Sequence, residues 1–320
     1  SRLWGWWVRC VSQWCWWMCL RGCVVAGSQG FSADVSALVG LAEELGRFAV
    51  GSVWSEAQVA QQRLNQHAPF GVATVSAYVL SARHRYQQNL IRIVHTVHEC
   101  AREAAWLAMG LAQVVGGYGG ADARAVARLT GGGGGVSSSG LRVPAEVSGV
   151  VAVPPPRHVA ADERQEQGRC VNWDAYNAPA LWEMVAPDNP CVGASQTLAW
   201  RRVADALDDQ ARVLSQLRDR CADAWSGEAA SQFLTRVDDL IDTMRATAEA
   251  AAGTCAVIER INSAVASLQR DLQQIVTEYE EKSSDWILRQ IDHAEDELNQ
   301  RARIRMAAAE REITSAATAL

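Results

Sequence analysis

The most constraining feature of the sequence is a largely apolar repeat that alternates steps of four and three residues over positions 233–286. No proline interrupts the chain from Cys191 to Leu320. A period of 3.5 residues held over this distance puts one stripe along a helix and is typical of left-handed coiled-coil packing. We expect one helix from about residue 228 to beyond residue 298, with a partner surface covering its stripe. The predicted packing residues are Leu214, Leu217, Phe233, Val237, Leu240, Ile258, Ile261, Leu268 and Leu272.

A shorter apolar stripe, which contains Leu214 and Leu217, precedes this helix. The triplet Trp225-Ser226-Gly227 separates the shorter stripe from the longer one. Gly227 supplies the backbone freedom that a tight turn between helices needs, and Trp225 offers a large flat ring with one N–H donor. The triplet therefore predicts the tip of a helical hairpin. Taken alone, it equally suits an ordinary capped hairpin with an anchoring tryptophan.

A second helical pattern occupies the first half of the chain. Its first arm carries a small apolar stripe over residues 35–52, and Ser32 before an Asp-containing turn signals its start. Trp54-Ser55-Glu56 stands near the end of this arm. A longer second arm extends over residues 72–115, so the pattern predicts another helical hairpin.

Glycine, serine and proline divide the two helical patterns. Five glycines fill residues 131–135, three serines follow at 137–139, and three prolines stand at 154–156. This composition is typical of a linker. We divide the chain into an atypical N-terminal segment (1–30), a first module (31–115), a linker (116–170) and a second module (171–320).

The first 30 residues differ from the rest of the chain. They hold four of the nine cysteines, and six of the 13 tryptophans lie in the first 17 positions. We interpret this segment as foreign to the native protein, with the native start near residues 24–32. A signal peptide fits less well because small residues do not mark a cleavage site, and a zinc site lacks a second ligand pair.

Composition and motifs argue against nucleic-acid binding and against catalysis. The net charge is −6, from 30 Lys and Arg against 36 Asp and Glu, which does not suit binding to a polyanion. His95, His98 and Glu99 do not form a zinc-protease motif, and we expect them on a solvated helix face. The sequence contains neither a phosphate-binding loop nor a nucleophile motif. We therefore expect no enzyme activity, no cofactor, no metal site and no stable membrane span.

These patterns together predict an all-α protein. We expect two antiparallel helical hairpins with coiled-coil-like packing, of which the second contains a very long helix. Both hairpins carry apolar stripes that have to be covered, either by each other or by another chain.

The Trp-x-Gly turn between two amphipathic arms resembles the WxG helical-hairpin superfamily, the ESAT-like and EspC-like proteins of actinobacterial type VII (ESX) secretion. Tyr118 and Asp122 match the family's Tyr-x-x-x-Asp pattern, which follows the second helix and forms part of the export signal. Phe70-Gly71-Val72-Ala73, with His84 further on, is similar to the EspC-like proteins. The first module departs from the pattern, because Glu56 stands where the family has Gly after Trp54.

The resemblance implies a non-enzymatic type VII secretion substrate or secretion-associated protein. Its partners would be a helical-hairpin protein or a second copy, and the secretion ATPase, to which Trp225, Gly227, Tyr118 and Asp122 would be presented. It would lie in the cytoplasm before export and outside the cell or on its surface afterwards. The alternatives are the N-terminal delivery module of a polymorphic toxin, with a catalytic domain after Leu320, and a cytoplasmic structural coiled-coil protein.

Overall fold

The computed structural model describes residues 32–56, 58–59, 62, 77–130, 172–187, 190–285 and 291–320, and it confirms the all-α class. Within these ranges the only strands are two of two residues each, which pair with each other. The elements in chain order are β1 (Ser32–Ala33), α1 (Val35–Arg47), a π-helical turn (Phe48–Trp54), α2 (Ala77–Thr130), a 3-10 turn (Trp173–Ala175), α3 (Ala178–Val185), α4 (Pro190–Ala224), β2 (Trp225–Ser226), α5 (Glu228–Asp285) and α6 (Ile291–Ala317). The proposed N-terminal segment 1–30 and Phe70-Gly71-Val72-Ala73 lie outside the described residues.

Helices α4 and α5 make the most extensive contact in the structure. Arg218 contacts Asp238 at 2.9 Å close to the turn, and Arg201 contacts Glu259 at 2.6 Å further from it. Gly193 lets the two helices approach closely, because a Cβ at this position would lie 1.9 Å from the Asn262 Oδ1 atom. This contact buries the apolar stripe as far as Val265, whereas Leu268 and Leu272 lie in a cluster with α3 and α6. All nine packing residues named above are buried.

The chain from residue 228 onward is not one continuous helix, so this expectation was wrong. Helix α5 ends at Asp285 after 58 residues, about 87 Å at 1.5 Å per residue, and α6 lies back along it. Arg301 pairs with Glu278 at 2.7 Å, and the Tyr279 hydroxyl donates to Glu295 at 2.8 Å. The physical reason is that the distal half of the α5 stripe needs a cover, which the chain itself provides.

Residues 172–187 complete that cover. The Trp173 indole N–H donates to Glu310 at 2.8 Å, and the Ala178 amide donates to the buried Asn299 side chain at 2.8 Å. The Gln269 side chain donates to the Val185 carbonyl at 3.0 Å. The 3-10 turn and α3 therefore pack with the distal part of α5 and with α6 into one hydrophobic cluster.

The residue that caps the start of α1 is Asp34 and not Ser32. The Asp34 carboxylate accepts hydrogen bonds from the Ser36 and Ala37 amides, both at 3.0 Å, and these bonds lower its pKa. Ser32 instead belongs to β1. An Asp in an extended conformation can satisfy the free amides of the first turn, so it serves as the N-cap here.

Helix α2 is longer than the sequence indicates at its C-terminal end. It continues to Thr130 through Gly116, Gly117, Gly119 and Gly120, where the sequence places the start of the linker. Glycine costs about 1 kcal/mol relative to alanine in a helix but does not block it, whereas proline does. The first proline after this point is Pro144.

The two modules share their cores. The Trp200 indole N–H donates to the Tyr86 hydroxyl at 3.1 Å, and the Asn89 side chain donates to the Thr254 hydroxyl at 2.6 Å. Both bonds are buried and join α2 of the first module to α4 and α5 of the second. The cluster around α1 likewise contains apolar residues of both modules. Each module thus covers apolar surface of the other.

Candidate interaction site at the tip of the second module

The turn between α4 and α5 is built on Gly227. Its φ of 116° lies in the region that residues with a side chain rarely adopt. The Gly227 carbonyl accepts from the Ser231 amide at 2.9 Å, so it opens the first turn of α5. The helices α4 and α5 are therefore interrupted at the triplet for which the sequence predicts a turn.

The Trp225 ring is buried inside the tip, with only 2% of the residue exposed. Its centroid lies 5.8 Å from that of Phe233, and it belongs to the cluster that contains Leu38 and Val115. The indole N–H is buried and has no hydrogen-bond partner among the residues that the structure describes. The sequence led us to expect a Trp225 ring presented at the surface, whereas the ring is buried.

Strand β1 lies against the tip. Ala33 pairs with Trp225 and Ser32 pairs with Ser226, in an antiparallel arrangement. The Asp34 amide donates to the Ala224 carbonyl at 2.8 Å. The sequence does not indicate this contact, because two residues give no detectable strand periodicity.

Two ion pairs fasten neighbouring helices near the tip. Arg220 of α4 donates two hydrogen bonds to the Glu44 carboxylate of α1, at 2.8 and 3.0 Å, and these bonds lower the pKa of Glu44. Arg218 holds Asp238 of α5 in the same two-bond manner, at 2.9 and 3.1 Å. Planar two-bond pairs of this kind fix orientation as well as attraction.

The backbones of Tyr118 and Asp122 are part of α2. The two residues are four positions apart and therefore belong to one face of the helix. Their side chains lie outside the described residues. The register of α2 against α5 nonetheless gives their level along the bundle. Glu103 of α2 pairs with Arg236 of α5 at 3.9 Å. Val115 lies 12 residues after Glu103, and Ala224, the last residue of α4, lies 12 residues before Arg236.

This register puts Leu111 at the level of Glu228, the first residue of α5. Val115 follows about one helical turn later and shares one hydrophobic cluster with Trp225. The backbone of Tyr118 follows about one helical turn later. The helix then continues past the turn of the second module to Thr130.

The corresponding triplet of the first module, Trp54-Ser55-Glu56, does not turn. Ser55 has helical angles of φ −60° and ψ −46°, and Glu56 is helical as well. The Trp54 ring meets His98 of α2 edge-on, with 5.2 Å between ring centroids. The chain therefore continues as a helix where the family pattern has its turn.

The contact with Trp54 also corrects our expectation for His98, which is only 6% exposed and not on a solvated face. Burial lowers the pKa of His98, the neighbouring His95 lowers it further, and Glu99 opposes both effects. The sequence did not indicate this burial, because a histidine fits either face of an amphipathic helix.

The remaining polar chemistry of the described residues is sparse. Cys100, Cys221 and Cys255 are free and buried, and burial raises the pKa of Cys100 to about 12. No cluster of three or more His, Cys, Asp or Glu residues that could hold a metal ion occurs in the described part of the chain. Within that part, no helix has the length and apolar character needed to cross a membrane.

Comparison with known proteins gave no match: neither a protein-family model nor a curated protein matches this chain. The resemblance to the WxG superfamily therefore rests on the residues named above.

Proposed function

We propose that this protein is a non-enzymatic type VII secretion substrate or secretion-associated protein, whose export signal is assembled from both modules. In this proposal Trp225 and Gly227 supply one half of the signal, and Tyr118 and Asp122 supply the other. The secretion ATPase is the external partner. The protein lies in the cytoplasm before export and in the medium or at the cell surface afterwards.

The observation that carries the proposal is the register between α2 and α5. It brings the α2 backbone just before Tyr118 to the level of the Trp225 turn, within one shared cluster. In the family that the motifs resemble, the Trp-x-Gly turn of one hairpin lies near the Tyr-x-x-x-Asp tail of its partner. Here the two halves would meet within one chain.

The packing supports a pair of antiparallel helical hairpins with a coiled-coil-like seam. The ion pairs Arg218–Asp238 and Arg201–Glu259 join residues at matching distances from the α4–α5 turn, as an antiparallel hairpin requires. All nine stripe residues are buried, and seven of them, all except Leu268 and Leu272, lie in clusters that contain residues of α4. In this interpretation the first module takes the place that a separate hairpin partner or a second copy would otherwise fill.

The test is export from an actinobacterium with a working type VII system, compared with a strain whose secretion ATPase is inactive. We expect the wild-type protein in the culture filtrate or surface fraction only when the ATPase works. Trp225→Phe, which keeps an aromatic ring but removes the N–H donor, and Tyr118→Phe should each reduce export. Circular dichroism and thermal melting of the purified variants verify that they remain folded.

The matched control is Trp54→Phe, which makes the same change in the triplet that does not turn. It should leave export at the wild-type level. Equal losses in Trp54→Phe and Trp225→Phe would show that lost packing, and not a signal, is responsible. Retention of the wild type in the cytosol of every strain would overturn the proposal and favour a structural coiled-coil role.

A further inference from the structure

We propose that Trp225 is a covered binding residue and that residues 32–34, here named the strap, are its displaceable cover. A partner with an apolar pocket and a carbonyl or carboxylate acceptor would lift the strap and bind the indole ring together with its N–H. This inference rests on the proposed function, since it names what regulates access to the same turn. It adds a closed state and an open state to that site.

The first observation is the placement of the strap. Ala33 stands directly opposite Trp225 in the antiparallel pair, and side chains of opposed residues lie on the same face of such a pair. Ala33 is also packed against the cluster that contains Trp225. The strap therefore lies beside Trp225, with the Ala33 side chain next to the indole ring on the same face of the pair.

The second observation is the unsatisfied indole N–H. The large majority of buried side-chain polar atoms have a hydrogen-bond partner, so a buried donor without one needs an explanation. In the closed state this N–H is buried away from water, and no acceptor bonds to it among the described residues. A partner that supplies an acceptor would gain an interaction available only in the open state, and such a difference is what shifts a conformational equilibrium.

The third observation is that the strap can lift without releasing the helix behind it. The Asp34 side chain caps α1 through the Ser36 and Ala37 amides, and neither bond involves the tip. Helix α1 is held separately by the Glu44–Arg220 pair and by buried leucines such as Leu38 and Leu41. Opening breaks the two-residue pairing and the bond from the Asp34 amide to the Ala224 carbonyl, and it releases the packing of Ala33 against the cluster.

A reversible lock tests the proposal in the full chain. Ser32 and Ser226 are paired residues, so the double variant Ser32→Cys/Ser226→Cys can form a disulfide that holds the strap closed. The probe is the purified cytoplasmic region of a type VII secretion ATPase. We expect its affinity for the oxidised protein to be at least about tenfold weaker than for the same protein after reduction.

The single variant Ser32→Cys is the control for oxidation of the native cysteines, and its affinity should not depend on the oxidant. Equal binding by the locked and reduced proteins, together with weaker binding by Trp225→Phe, would overturn the strap while leaving the proposed function in place.

Absence of ATPase binding by every form would overturn the proposed function instead. Hydrogen exchange then decides about the strap by itself. Ala33→Pro should raise deuterium uptake at residues 225–227 above that of the matched Ala33→Ser variant, with unchanged uptake around Ile258. Equal uptake at residues 225–227 in the two variants would overturn the strap.

Discussion

The two tryptophan triplets of this chain differ in one position and adopt different structures. Trp225-Ser226-Gly227 interrupts the helical chain, with Gly227 at a φ of 116°, whereas Trp54-Ser55-Glu56 remains helical. Trp225 is buried against Phe233, and Trp54 is half-buried against His98. We conclude that the glycine determines whether the chain turns. The tryptophan packs against a helix in both triplets, Trp225 against α5 and Trp54 against α2.

The largest expected difference between the triplets is in stability. Trp225→Ala should lower the free energy of unfolding by about 3–5 kcal/mol, because it leaves a cavity in a packed cluster. Trp54→Ala should cost about 1–2 kcal/mol, since part of its ring is already in contact with solvent. Urea unfolding followed by circular dichroism measures both values. Similar losses at the two positions would contradict the difference in burial.

The third position of each triplet provides a sharper comparison. Gly227→Ala should lower the free energy of unfolding by about 1–2 kcal/mol, because a side chain is strained at this backbone angle. Glu56→Ala should change it by less than about 0.5 kcal/mol, since the residue is exposed and helical. The same unfolding assay applies. A neutral Gly227→Ala variant would show that the turn does not require its positive φ.

Acidification should lower the stability of the protein through His98, which contacts Trp54 of the first triplet. Its pKa is lowered in the folded protein, chiefly by burial, so the unfolded chain binds this proton more readily. Stability should therefore fall as the pH drops from about 6.5 towards the folded pKa of His98. His98→Gln should show a shallower fall over this window than the wild type. Identical pH profiles of the two proteins would contradict the burial of His98 beside Trp54.

The smallest expected effect belongs to the ion pair that ties α1 to α4 near the second tip. A double-mutant cycle with Glu44→Ala and Arg220→Ala should give a coupling energy of about 0.2–1 kcal/mol, since both side chains are partly exposed. The coupling should weaken as the pH falls below the unfolded pKa of Glu44 and towards its lowered folded pKa. A coupling near zero at neutral pH would mean that this pair does not hold α1 beside the tip.

Much of the fold could be predicted from the sequence. The 3.5-residue period identified the packing residues of α4 and α5, such as Leu214 and Ile258, because burial and periodicity have the same cause. The Trp225 triplet was predicted as a turn for a similar reason, since only glycine readily adopts the backbone angle observed at Gly227.

Other features could not be predicted, for physical reasons. A heptad-like stripe is the same whether a second chain or the chain itself covers it, so the return of α6 along α5 left no signal in the period. Strand β1 is too short for an alternating pattern. The level of Val115 relative to the Trp225 turn follows from tertiary pairs such as Glu103 with Arg236, which no local pattern specifies.

The central claim, that two distant motifs form one export signal, is tested most directly by combining their variants. Export should be measured for Trp225→Phe, for Tyr118→Phe and for the double variant in one strain with a working type VII ATPase. Parts of one signal are coupled, so we expect the double variant to be exported no worse than the more severe single variant. If the two losses instead multiply, the motifs act independently, and the account of a shared signal is contradicted.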